Sequence, residues 1–329
     1  MKDKQLEDLY AFIDNSAHML SEQEDILYLD ALAEVGDRLF TSKMVEIHDS
    51  FQKKKLEKLY QSITFEDYEQ EIIRKALQLA VLKGMKGATQ PHHSLTPDAV
   101  SLFISYLVNK VLNQPKPYIL ADLAVGSGNL LTAILNQSNK EIKALGFEVD
   151  ETLLHLAYVN ANLQKHEVEL FHQDSIQKLP NLEADLVVTD LPIGYYPNDV
   201  VAHDYEVKAL EGHSYIHHLM IEQALKQTKS GGYLFLLIPN FLFQTDQSET
   251  LHQFLKKESV ILGLLQLPSS MFKNDNQAKS ILMLQKNGEG VKQIQQALLA
   301  ELPSFSKKSA LADMVNQIDR WFQSELELS

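Results

Sequence analysis

The sequence contains no cysteine. That absence excludes disulfides, thiolate nucleophiles and Cys-ligated metal. Basic charge is also scarce: 30 Lys and Arg face 44 Asp and Glu, a net charge of −14. A chain that neutralises many phosphates presents a basic face. Here the lysines are scattered, with short clusters only at Lys53 to Lys55 and at Lys307 and Lys308. Tight unaided binding of duplex DNA is therefore disfavoured. No apolar run approaches the roughly 20 residues that span a bilayer, and the N-terminus, MKDKQLEDLY, is polar where a signal peptide is apolar. No membrane contact is expected, and the expected compartment is the cytoplasm.

Proline is missing from the first 90 residues, and apolar residues recur there at spacings of three and four, so residues 1–86 read as helices. Ser21 to Glu24 before ILYLDALAEV reads as a capping box. From about residue 118 apolar strands alternate with helical stretches: YILADLA, GNLLTAILNQ, IKALGFEV, DETLLHLAYVNANLQ, EVELFHQ. That alternation implies a parallel sheet with helical crossovers. ADLVVTDLP, GGYLFLLIP and VILGLLQLP add strands, and KSILMLQK follows the last after a polar loop too short for a parallel return, so this pair is expected to be antiparallel. The remainder after Gly290 reads as helix, broken at Pro303. Expected boundaries are a helical region 1–86, an α/β region 87–290 and a helical extension 291–329.

Asp122-Leu-Ala-Val-Gly126-Ser127-Gly128 lies between a strand and a helix, where glycine lets a ligand approach backbone N–H groups. A dinucleotide fingerprint would need a third glycine at 131, and Leu131 stands there. The next strand ends in GFEVD with Glu148, 22 residues beyond Gly126, where an acid can accept ribose hydroxyls. The following strand ends in FHQDS, and Asp174 there can accept from an adenine amino group. So much negative charge repels phosphates and favours a sulfonium cation. The alternative is that acids at strand ends cap the next helix, as Asp122, Asp150 or Asp174 could.

In these motifs the sequence resembles the class I S-adenosylmethionine-dependent methyltransferases, and among them the N6-adenine DNA methylase family that includes modification subunits of type I restriction systems. The likeness covers roughly residues 85 to 287 and follows the family's order: KGATQPHHSLTPDAV, LADLAVGSGNLL, GFEVD, HQDS, TDLPIGYY, GGYLFLLIPNFLF, then LGLLQLPSSMF and KSILMLQK. The fold it implies is a three-layer α/β sandwich with a mostly parallel, Rossmann-like seven-stranded sheet ending in an antiparallel hairpin, here with an N-terminal helical domain and no target-recognition domain. The implied cofactor is S-adenosyl-L-methionine, held by Thr96, Pro97, Asp122, Ala124, Gly126, Ser127, Gly128, Glu148, Val149, Asp174, Ser175 and Asp190. Thr96 and Pro97 match the upstream motif, with Leu95 where the family has an aromatic.

The family's catalytic tetrapeptide is Asn or Asp, Pro, Pro, aromatic; here Asp190 and Pro192 match, Leu191 and Ile193 do not. The resemblance implies that the acceptors for the target amino hydrogens are the Asp190 side chain and the Leu191 carbonyl, which needs no particular side chain. What Ile193 lacks is a stacking face, and Tyr195, freed by Gly194, is the expected substitute, with Tyr196 beside it. The activity implied is methyl transfer to an amino nitrogen, foremost adenine N6 in DNA. The alternatives are transfer to a protein amide or small amine, and a non-catalytic cofactor-binding partner or regulatory subunit. The N-terminal helices are the expected surface for a protein partner, and the charge makes unaided nucleic-acid binding weak. Residues 197–213 read as a lid over substrate. His213, His217 and His218, and His92 with His93, lack the spacing of a hydrolytic metal site, so no metal is expected.

Overall fold

The computed structural model describes residues 2–41, 54, 57, 58, 61, 63–87 and 95–328. Lys53, Lys55, Pro91, His92 and His93 lie outside the described residues. Its α-helices are α1 Lys2–Glu24, α2 Tyr28–Thr41, α3 Gln70–Gly87, α4 Asp98–Val111, α5 Asn129–Gln137, α6 Glu151–Leu163, α7 Asp199–Ala202, α8 Ile216–Gln227, α9 Ser248–Glu258 and α10 Lys308–Leu326. The strands are β1 Tyr118–Asp122, β2 Ile142–Glu148, β3 Val168–His172, β4 Ala184–Asp190, β5 Thr228–Pro239, β6 Ser259–Gln266, β7 Lys279–Lys286 and β8 Leu298–Glu301. They form one sheet in the order β3-β2-β1-β4-β5-β7-β6-β8. β4 runs parallel to β1 and β5, and β7 runs antiparallel to both β5 and β6.

The expected antiparallel pair is therefore present, but the sheet has eight strands rather than seven. The extra one, β8, pairs in parallel with β6 in a stretch read from the sequence as helix. Leu298-Leu299-Ala300-Glu301 suits a helix by composition, and pairing with a strand edge overrides that weak preference. Gly263 in β6 admits it: a Cβ there would stand 2.6 Å from the Leu298 carbonyl oxygen. The capping box is also corrected. α1 contains neither Gly nor Pro, so it runs through Ser21 and stops only where Asp25 takes φ +53°. The Ser21 hydroxyl donates to the Ile26 carbonyl at 2.7 Å.

The chain forms two compact units. The first comprises Met1–Leu102, Val125–Ser138 and Gly146–His172. Its core joins Leu9, Phe12, Ile13 and Leu20 of α1, Leu32 and Val35 of α2, and Ile73, Leu77 and Val81 of α3 to Leu153, Leu156 and Val159 of α6. Apolar residues at helical spacing explain this face, and burying each such side chain contributes about 1.5–3 kcal/mol.

The second unit comprises Phe103–Ala124, Asn139–Leu145 and Gln173–Ser329. Leu120 of β1, Val187 of β4, Leu236 of β5, Leu265 of β6 and Ile281 of β7 are fully or nearly fully buried, as strands covered on both faces require. Helix α8 packs on β4 and β5, and α9 on β6. Trp321 of α10 is buried and donates its indole N–H to the Gln296 carbonyl at 2.7 Å. No helix among the described residues is long and apolar enough to cross a membrane.

Candidate active site

In the first unit the glycine turn is tied to the end of β2. Val125 N–H donates to the Phe147 carbonyl, and Gly126 N–H to Glu148 Oε2, both at 2.9 Å. Oε1 of Glu148 accepts from Val149 N–H at 2.9 Å and Asp150 N–H at 3.0 Å. A carboxylate offers about four acceptor positions, so these three donors leave about one for another. Gly126 takes φ +55°, and nothing lies within 4 Å of where its Cβ would stand, which leaves the turn open to a close ligand. Gly128 takes φ +77° for a different reason: its Cβ would meet Ala157 of α6 at 3.3 Å.

Ser127 is buried, and its carbonyl accepts from Asn160 Nδ2 at 3.0 Å. Thr96 is buried too, its carbonyl accepting from Asn129 Nδ2 at 3.1 Å, and Pro97 opens α4 by accepting from Val100 and Ser101 N–H at 3.0 Å. Val149, just past the end of β2, is 60% exposed. Asp150 does what the capping alternative requires, accepting from Leu153 N–H at 2.9 Å at the start of α6.

In the second unit β1 and β4 end together, with Asp122 buried and accepting from Ala124 N–H at 3.1 Å. Leu123 is held on both sides: its N–H donates to Thr189 Oγ1 at 3.0 Å, and its carbonyl accepts from Ser175 Oγ at 2.6 Å. Asp174 accepts from Ile176 N–H at 2.9 Å and, on its other oxygen, from the Tyr196 hydroxyl at 2.6 Å. Burial, and then Asp174, push the Tyr196 phenol above its ordinary range.

The turn after β4 has an ion pair that the motif does not announce. Asp190 Oδ1 pairs with Lys279 Nζ, and both side chains are nearly buried. Register explains it: Asp190 lies opposite Leu237 of β5 while Lys279 lies opposite Pro239, so the long lysine side chain crosses β5. Leu191 is buried, its N–H on the Leu237 carbonyl at 3.1 Å, and Pro192 and Ile193 are half-buried.

Gly194, at φ +138° with open space beside it, sets Tyr195 outward. The Tyr195 ring is 60% exposed and stacks on Tyr215 with centroids 4.7 Å apart and planes 18° apart. The two residues also form an isolated antiparallel bridge, flanked by Tyr196 N–H on the Ser214 carbonyl and Ile216 N–H on the Gly194 carbonyl. Tyr196, by contrast, is buried. Behind Tyr215 lie His217 and His218, both fully buried, with burial first and His218 second pulling His217 down to about 3. His213 precedes α8 and pairs with Asp199 at 2.9 Å.

The segment 197–213 is anchored along its middle. The buried Glu222 carboxylate accepts from Glu206 and Val207 N–H at 3.1 and 2.9 Å, and the Tyr205 hydroxyl donates to the Ile176 carbonyl. Exposed apolar residues remain near its ends, at Val200 and Leu210. Among the described residues no group of three His, Asp or Glu converges to hold a metal.

The sequence reading missed Lys279, Tyr215 and the use of Tyr196. A signal for Lys279 was present: a strand antiparallel to its neighbour begins at the edge where that neighbour ends. Tyr215 gave none, since its partner is 20 residues away across a loop.

Comparison with known proteins identifies the family. Residues 7–85 match a family model described as the YtxK N-terminal helical domain, and residues 86–325 match N-6 DNA Methylase. Uncharacterized protein YtxK of Bacillus subtilis is 48% identical over 96% of this chain and 97% of its own. A Listeria monocytogenes protein, provisionally assigned to the class I S-adenosylmethionine-dependent methyltransferases, superposes with TM-score 0.90 at 39% identity over 97% of this chain and 99% of that one. The methyltransferase subunit of a Streptococcus thermophilus type I restriction-modification system gives TM-score 0.67 at 14% identity over 92% of this chain and 73% of that one, a likeness of fold alone. The open Gly126 turn beside an acid, with no phosphate-binding third glycine, fits a phosphate-free sulfonium nucleoside. With most of its length matched, the chain belongs to the N-6 DNA methylase family, and S-adenosylmethionine is its cofactor.

Proposed function

We propose that this methyltransferase acts on the exocyclic amino nitrogen of adenine in DNA. The observation that carries the reading is the exposed Tyr195 ring, stacked on Tyr215 five residues past Asp190 in the chain. A nucleobase stacked on an aromatic face gains about 1–3 kcal/mol, and this face replaces the one that Ile193 lacks. Asp190 and the Leu191 carbonyl accept the two amino hydrogens, which turns the nitrogen lone pair out of the ring, and Pro192 keeps the turn rigid. Thr96, Pro97, Asp122, Ala124, Gly126, Ser127, Gly128, Glu148, Val149, Asp174 and Ser175 hold the cofactor. When bound, S-adenosylmethionine supplies an electrophilic methyl group on sulfur. The protein contributes orientation and electrostatics and needs neither metal nor covalent intermediate. With a net charge of −14 it relies on a partner for its grip on DNA, the N-terminal helices being the proposed surface.

A second reading, a non-catalytic cofactor-binding subunit, is favoured by the Asp190 to Lys279 pair, because the ammonium group takes up an oxygen that a target amino group needs. Incubation with methyl-labelled cofactor, unmethylated DNA and protein extract separates the readings. Label in DNA supports the first, label only in protein moves the target to an amide, and label in neither supports the second.

A further inference from the structure

Arg74 of α3 is a large, fully buried charge that belongs to none of the motifs named above. Its guanidinium donates to both oxygens of Glu71, to Asp98 at the start of α4, and to Asn129 Oδ1 at 2.7 Å. Asn129 is the first residue of α5, directly after Gly128, and its amide nitrogen donates in turn to the Thr96 carbonyl at 3.1 Å. One turn further along α3, Gln78 Nε2 reaches the same carbonyl at 3.4 Å. A buried guanidinium needs its charge balanced and its five donors used, and only its flat fork can serve several acceptors at once. Here two carboxylates balance it and take three of those donors, and a fourth goes to Asn129, the residue after the glycine turn.

We infer that Arg74 is a positioning residue for the cofactor: through Asn129 it fixes the Gly126 to Gly128 turn and the Thr96 backbone, which makes the N-terminal helices part of the cofactor site. Helix α2 packs on α6 in the same unit. The Thr152 hydroxyl donates to Asp30, and a Cβ on Gly36 would stand 2.1 Å from the Val159 side chain. The inference rests on the assignment of the glycine turn to the cofactor.

The test is calorimetric titration of the full chain with S-adenosylmethionine, in wild type, Arg74→Met, Asn129→Ala, the double variant and Phe12→Ala. Phe12→Ala loosens the same helical core without touching the network, and it serves as the stability control. Asn129→Ala keeps the Arg74 ion pairs and removes the Asn129 side-chain bonds to Arg74, Thr96 and Ser101, which covers the case in which Arg74→Met does not fold. The expected result is a dissociation constant raised about tenfold or more by Asn129→Ala and by Arg74→Met, no further rise in the double variant, and little change in Phe12→Ala despite an equal loss of melting temperature. Unchanged affinity in Asn129→Ala, or equal weakening in Phe12→Ala, overturns the inference. Wild type that gives no heat overturns the cofactor assignment itself, an outcome distinct from wild type and Asn129→Ala binding alike.

Discussion

The Tyr196 hydroxyl donates to Asp174 Oδ2 at 2.6 Å, so one of the two tyrosines beside the altered turn serves an acid rather than a target base. If Asp174 receives the cofactor's adenine amino group, the phenol orients it. Tyr196→Phe is expected to lower stability by about 1.5–3 kcal/mol and to weaken S-adenosylmethionine binding, while turnover at saturating cofactor stays within about twofold. Calorimetric titration and steady-state kinetics check both halves, and unchanged affinity speaks against the role given to Asp174.

Tyr195 is the residue left to stack. Tyr195→Ala is expected to lower kcat/KM by about 5- to 150-fold, the equivalent of about 1–3 kcal/mol of base stacking, with cofactor affinity intact. Tyr215→Ala is expected to act in the same direction, because it removes the ring that backs Tyr195. Equal activity in both variants removes the stacking role.

The ion pair between Lys279 and Asp190 makes a prediction about stability. Lys279→Met leaves a nearly buried carboxylate without its lysine and is expected to cost about 1–3 kcal/mol, between the values for exposed and buried pairs. Adding Asp190→Asn is expected to restore part of that loss, so the two changes are non-additive. Denaturant melts of the four proteins give the coupling directly, and simple additivity contradicts it.

The strands from YILADLA to KSILMLQK were legible because apolar runs bounded by turn residues have little else to form in a covered sheet, and the Asp122 to Gly128 turn was legible because its glycines have a backbone reason. β8 was not: four residues, LLAE, hold their strand only through β6 and the gap that Gly263 leaves. The start of β7 at the edge where β5 ends could be anticipated, but the pairing of Lys279 with Asp190 could not, because it depends on two strands reaching past a third. Ser21 misled because a capping pattern carries no information about whether the helix before it has ended.

His217 is fully buried, and neither ring nitrogen finds a hydrogen-bond partner among the described residues. Its folded form stays neutral down to about 3, whereas an unfolded histidine takes up a proton near 6.5. Between those values the unfolded state binds more protons, so stability falls as pH is lowered through that window. His218, held near 4 by burial, adds to the same slope. His217→Phe is expected to flatten the acid limb and to hold or raise stability at pH 7. Denaturant melts from pH 4.5 to 7.5 check this, and an unchanged slope contradicts it.

The most direct test of the proposed reaction is mass spectrometry of nucleosides from unmethylated DNA incubated with S-adenosylmethionine and the protein. N6-methyladenine is expected with wild type and none with Asp190→Ala. No methylated adenine with wild type, under conditions where calorimetry detects bound cofactor, would contradict that reaction.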